Sequence, residues 1–123
     1  MTVEQNKLHV NLGDRSYDIF AAPGLLNDAG EFFKPLLKSK RVVVVSDTNV
    51  APIYLERLQS VLAKADIQHE AVILPAGEAT KRFSKFEGLL EDILAMGIER
   101  GTCLIALGGG VIGDITGFAA SAL

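Results

Sequence analysis

Cysteine is nearly absent from this sequence. A single thiol, Cys103, excludes an internal disulfide, and its place in an apolar run reads as a small core residue rather than a nucleophile. Histidine is scarce too. His9 and His69 both fall in expected strands, neither at a metal-ligand spacing from cysteine or carboxylate, so the sequence displays no metal site. No apolar run approaches the roughly 20 residues of a membrane helix. The first residues, Met1 to Lys7, lack the basic-then-apolar layout of a signal peptide, so a cytoplasmic protein without a membrane partner is expected. Basic clusters are missing as well: 12 Lys and Arg face 15 Asp and Glu, a net charge of −3, which argues against nucleic acid as a partner.

What is present suffices for one core. The chain has 123 residues, 49% of them hydrophobic, and shows no internal repeat, low-complexity linker or domain boundary, so residues 1–123 read as one domain. Leu8, Val10 and Leu12 alternate with polar residues, and after Gly13-Asp14-Arg15 the alternation resumes at Tyr17, Ile19 and Ala21, which predicts a β-hairpin. Pro23-Gly24 ends it. Ala29, Phe32, Phe33 and Leu36 then follow helical spacing, with an end expected just before Pro35. Val42 to Val45 predict a buried strand closed by Ser46-Asp47-Thr48-Asn49. The next helix carries Pro52 in its first turn and Tyr54, Leu55, Leu58, Val61 and Leu62 on its inward face. Ala71 to Leu74 form another strand, stopped by Pro75-Ala76-Gly77. A helix follows with Phe83, Phe86, Leu90, Ile93 and Leu94 as one apolar stripe, read as core.

From Cys103 to Phe118 the pattern is a fully buried strand, a turn at Gly108-Gly109-Gly110 and a helix start. Glycine lets backbone N–H groups approach a ligand closely, and a helix N-terminus adds unpaired donors and a positive dipole end, a combination suited to a phosphate. Gly108, Gly110 and Gly113 also satisfy the dinucleotide spacing G-x-G-x-x-G. A plainer reading is a tight strand-to-helix connection that binds nothing.

Strand and helix alternate after the hairpin, which predicts parallel strands joined by crossovers, with ligands at the strands' C-terminal edge. Three turns should gather there: Asp47 to Asn49, Gly77 to Lys81 and Gly108 to Asp114. The glycine turn can take a pyrophosphate, Asp47 can accept from ribose hydroxyls, and Glu78 and Lys81 add an acceptor and a cation. Each has a plainer role available: Asp47 in an Asx-turn or helix cap, Glu78 and Lys81 as a solvated pair, Asp114 as a cap or first-turn acid.

Leu12-Gly13-Asp14-Arg15-Ser16-Tyr17, Ser46-Asp47-Thr48-Asn49-Val50, Leu74-Pro75-Ala76-Gly77-Glu78 with Lys81, and Ala106-Leu107-Gly108-Gly109-Gly110-Val111-Ile112-Gly113-Asp114 together resemble the N-terminal domain of 3-dehydroquinate synthase, a sugar-phosphate cyclase. The resemblance implies a Rossmann-like α/β domain, a parallel sheet flanked by helices behind the hairpin. It implies NAD as cofactor, with Asp47 at the adenosine ribose and Gly77, Glu78 and Lys81 around the nicotinamide-side ribose and phosphates. Gly109, Gly110, Val111, Ile112, Gly113 and Asp114 would lie at the pyrophosphate, and Asn49 and Ala76 belong to the same set. In that family NAD-assisted oxidation, phosphate elimination, reduction and ring closure turn a phosphorylated heptulosonate into 3-dehydroquinate on the shikimate route, aided by zinc or cobalt in a homodimeric enzyme.

The family's metal and substrate residues have no counterpart in this sequence, which reads as truncated before a helical metal-binding domain and inactive alone. Ala76 and Arg82 also depart from residues frequent in the family. A related cyclase, a metal-dependent polyol dehydrogenase and a standalone nucleotide-binding module are the alternatives.

Overall fold

Four consecutive valines set the middle of the molecule. In the computed structural model, which describes residues 6–77, 83–99 and 101–123, Val42 to Val45 form the heart of β3 (Arg41–Asp47) and none is exposed to solvent. Successive strand side chains point to opposite faces. Val42 and Val44 accordingly enter one apolar cluster and Val43 and Val45 another. The first cluster is closed by α1 (Ala29–Phe33) and α2 (Ala51–Lys64), the second by α3 (Phe83–Ala95) and α4 (Gly110–Ala122). The result is a sheet between two helical layers, in the order β4-β3-β5, with β4 (Gln68–Leu74) and β5 (Cys103–Leu107) both parallel to β3. The alternation of strand and helix thus gives the parallel α/β architecture expected from it.

Details depart from the expectations. β5 is half-buried rather than fully buried, because it occupies a free edge of the sheet. Its thiol, Cys103, is pushed above its ordinary pKa by desolvation, as suits a packed side chain and not a thiolate. Tyr54 points outward from α2 while Leu58 and Leu62 are buried. On α3 the inward positions are Leu89 and Ile93 with Phe86 and Leu90 beside them, and Leu94 is 59% exposed. Phe83 lies where the description of α3 begins, and its side chain is outside the described set. The helix expected before Pro35 is only five residues long, flanked by 3-10 turns at Leu25–Asp28 and Lys34–Leu36, the second containing Pro35.

The hairpin of β1 (Asn6–Val10) and β2 (Tyr17–Ala21) forms a separate antiparallel ribbon. Phe20 tethers it, meeting Phe32 of α1 with ring centroids 4.8 Å apart. Next to Phe20, His9 Nδ1 lies 2.7 Å from Asp18 Oδ1 and Lys7 Nζ 3.5 Å from Oδ2. The His9 hydrogen bond, aided by Lys7, lowers the Asp18 pKa. What the pair adds to folding is therefore present above the ordinary carboxylate range and is lost as pH falls through the lowered value.

The junction of α2 with β4 shows how the sequence fixes a turn without glycine. Asp66 N–H bonds Ala63 O at 3.1 Å and Ile67 N–H bonds Leu62 O at 2.9 Å, a complete Schellman motif with Ile67 and Leu62 in one apolar cluster. The motif needs a left-handed residue, and Asp66 has φ 61°. Asp66→Gly relieves that strain and is expected to raise unfolding free energy by about 0.5–1 kcal/mol in urea titrations. The exposed Lys40–Asp66 pair, 3.7 Å apart, offsets little of it.

Candidate functional site

Strand register gathers the turns. Asp47 pairs with Leu74, and Ser46 with Leu107, so the chain leaves β3, β4 and β5 at one edge of the sheet. Asp47, Asn49, Ala76, Gly77 and Gly109 to Asp114 all sit at that edge or in the helix it feeds. Glu78, next after Gly77, and Lys81 lie outside the described residues.

Asp47 forms the Asx-turn that its plainer reading offered, but with one oxygen only. Oδ1 accepts from Asn49 N–H at 2.9 Å and from Val50 N–H at 2.8 Å. Among the described residues no partner meets Oδ2, and the carboxylate is half-buried at the mouth of the edge. The turn is thereby rigid and one acceptor stays available.

Gly77 has φ 105°, a conformation that side chains of L-residues rarely adopt, so its backbone alone demands glycine. The glycines of the third turn differ. None of Gly108 to Gly113 has positive φ. A Cβ on Gly108 would come within 3.0 Å of Ile112, so packing explains that residue. A Cβ on Gly109, Gly110 or Gly113 would meet no described atom within 4 Å. Among the described residues neither strain nor packing requires glycine at these three positions, although at Gly110 and Gly113, inside α4, glycine costs about 0.5–1 kcal/mol relative to alanine. Open space at the head of α4 fits a group that must approach the backbone.

The helix start is built to match. No side chain caps Gly109, and the first intrahelical bond runs from Gly113 N–H to Gly109 O at 3.0 Å. The N–H groups of Gly110, Val111 and Ile112 precede it and have no intrahelical acceptor. Ile112 can offer only this backbone group, since its side chain is buried in the core. Asp114 is the fifth residue of α4, in its second turn, which removes the cap and first-turn roles considered for it.

Two hydroxyls that sequence reasoning missed hold this edge together. Ser46, fully buried, donates from Oγ to Leu107 O at 2.7 Å, where the β5 ladder ends and the glycine turn begins. In a trans peptide C=O and N–H point in opposite directions, so this bond also aims the Gly108 N–H. A polar residue closing a run of four valines was the available signal. Ser46→Ala is expected to lower stability by about 1–3 kcal/mol, measured by urea unfolding, because a buried carbonyl loses its donor. Thr48, the second, bridges to the turn after β4.

The opposite edge holds an open hollow lined by Arg41, Ala63, Asp66, Ile67, Gln68, His69 and Glu70. Its charges are already used. Arg41 pairs with Glu70, Nε to Oε1 at 3.1 Å, and donates to the carbonyls of Met96 at 2.6 Å and Gly97 at 2.9 Å, pinning the end of α3. Among the described residues no three His, Cys, Asp or Glu side chains gather as a metal site.

Residues 71–123 match the family model described as 3-dehydroquinate synthase N-terminal. A 3-dehydroquinate synthase of Rhodospirillum rubrum is 53% identical over 121 residues, 98% of this chain and 31% of that protein; one of Rhizobium meliloti is 48% identical over 120 residues, 98% of this chain and 32% of its own. Over nearly its whole length the chain is similar to 3-dehydroquinate synthases, and over residues 71–123 to their N-terminal family model. It spans about a third of the length of these relatives.

Solved structures agree on the fold. A 2-epi-5-epi-valiolone synthase from Streptomyces hygroscopicus subsp. jinggangensis, with NAD+ and Zn2+ bound, matches with TM-score 0.73 and 32% identity over 91% of this chain and 31% of its own. A 2-deoxy-scyllo-inosose synthase complexed with carbaglucose-6-phosphate, NAD+ and Co2+ matches with TM-score 0.83 over 96% of this chain and 32% of its own; at 23% identity that likeness is one of fold. The stretch matched by the 3-dehydroquinate synthase model holds the second and third turns, and the Rhodospirillum rubrum relative extends the likeness across 98% of the chain.

Proposed function

We propose that this chain is the NAD-binding portion of a 3-dehydroquinate synthase and holds the dinucleotide along the C-terminal edge of its sheet. The observation that carries the reading is the set Gly109, Gly110 and Gly113, demanded among the described residues by neither backbone strain nor packing, around a helix start with no side-chain cap. In this proposal the N–H groups of Gly110, Val111 and Ile112 receive the pyrophosphate, with Gly109 and Gly113 leaving room for it and Asp114 next along the helix. Asp47 Oδ2 and Asn49 take the adenosine ribose. Ala76 and Gly77, followed in the sequence by Glu78 and Lys81, complete the grip on the nucleotide from the turn after β4.

Bound NAD would supply a hydride acceptor that becomes a donor again within the turnover. The residues of this chain bind and orient; they supply no general acid or base to the scheme. The whole enzyme is proposed to convert a phosphorylated heptulosonate to 3-dehydroquinate and phosphate on the shikimate route, with zinc or cobalt, as a cytoplasmic homodimer. The 123 residues alone are proposed to be inactive, since the metal and substrate residues of the family have no counterpart in them. The 53% identity to a 3-dehydroquinate synthase, against 32% to a valiolone synthase, supports this reading over the related cyclase.

Calorimetric titration of the chain with NAD and with NADP tests the binding. A carboxylate at the adenosine ribose accepts from the 2′-hydroxyl and repels a 2′-phosphate, so NAD is expected to bind and NADP to bind far more weakly. Equal affinities, or no binding of NAD, would overturn the assignment.

A further inference from the structure

The ladder between β3 and β5 stops one residue short of the site. Its last pair is Ser46 with Leu107, whereas on the other side of β3 the ladder runs on to Asp47 with Leu74. Asp47 and the glycine turn therefore share no ladder pair. The link at that point is a side chain, since Ser46 Oγ donates to Leu107 O at 2.7 Å. Among the described residues the buried polar ones are Ser46 and Thr116, and a hydroxyl taken out of water is costly unless it is bonded. A fifth valine would carry no such cost, but it could not hold the Leu107 carbonyl. That carbonyl belongs to the planar peptide that enters the glycine turn, so holding it also fixes the nitrogen and Cα of Gly108. Gly108 in turn sits against Ile112, where a Cβ would come within 3.0 Å, and Ile112 carries one of the three N–H groups at the head of α4 without an intrahelical acceptor.

We propose that Ser46 is a positioning residue for the dinucleotide: its hydroxyl sets the glycine turn after β5 against the Asp47 carboxylate next to it on β3, so that one ribose and the phosphate attached to it meet their grips together. The inference rests on the NAD reading above and deepens it. β3 and β5 are neighbours in the order β4-β3-β5, as the adenosine ribose and the pyrophosphate are neighbours in the ligand. One hydrogen bond between these two strands can therefore set the spacing that both parts of the ligand must satisfy. Asp47 does not set it, because its Oδ1 is taken up within its own turn.

The test uses three variants of the full 123-residue chain. Ser46→Ala removes the hydroxyl, and Ser46→Cys puts a much weaker donor in the same place and answers the same question if the alanine variant does not fold. Ile67→Val trims a buried side chain at the opposite edge of the sheet and controls for lowered stability alone. Each is titrated with NAD, and the amide shifts of Gly108 to Gly110 are recorded without ligand. Both serine variants are expected to weaken NAD about two- to tenfold, the scale of one hydrogen bond, and to move those shifts. Ile67→Val is expected to lower the urea midpoint, to leave the shifts in place and to bind NAD as the parent does. Parent-like NAD affinity or unmoved shifts in the serine variants would overturn the positioning role, as would an equal loss of affinity in Ile67→Val. If the parent chain itself binds no NAD, the NAD reading fails and takes this role with it.

Discussion

Gly110→Val is expected to abolish NAD binding while leaving the helical content and melting temperature of the chain intact. The backbone at Gly110 is ordinary helix, so valine enters without strain, and no described atom lies within 4 Å of the new Cβ. Helix propensity even favours valine over glycine by a few tenths of a kcal/mol. The isopropyl group does fill the space in front of the Val111 and Ile112 N–H groups, where the pyrophosphate must sit within hydrogen-bond distance. Stability and binding should therefore separate: circular dichroism unchanged, calorimetric heat with NAD gone. Parent-like NAD affinity in this variant would mean that the open cradle is not where the nucleotide lies.

Leu62→Ala carries the largest expected cost to the fold, about 2–5 kcal/mol. Leu62 is fully buried in the cluster with Val42, Val44 and Leu58, and its carbonyl also receives Ile67 N–H in the turn that ends α2. Truncation leaves a cavity beneath a helix that is fixed at both ends, so little collapse can fill it. Against a typical total of about 5–15 kcal/mol, such a loss would shift the urea midpoint strongly. A change below about 1 kcal/mol would show that α2 repacks freely and that the sheet's first face is not a rigid core.

Much of the fold was legible because its signals are local. Val42 to Val45 could only be a buried strand, and glycine after Cys103 to Leu107 could only end one. What depends on neighbours was not. The half exposure of β5 follows from the order β4-β3-β5, and no periodicity records which strand stands at an edge. The inward face of α3 turned on Leu89 rather than Leu94, a choice made by where the helix crosses the sheet.

The site divides in the same way. Asp47 and the glycine turn announce themselves by type and spacing. Ser46 and Thr48 act across pairings of residues 61 and 28 positions apart, which only the register reveals. At Asp47 the Asx-turn uses one carboxylate oxygen, which leaves the proposed ligand role to the other.

Amide chemical shifts recorded while NAD is titrated into the labelled chain probe the convergence of the turns most directly. Perturbations confined to Asp47–Val50, Ala76–Gly77 and Gly108–Asp114, saturating together with one affinity, are the expected result. Shifts centred on the hollow beside Arg41 and Glu70, or affinities that differ from turn to turn, would contradict a single nucleotide held across this edge.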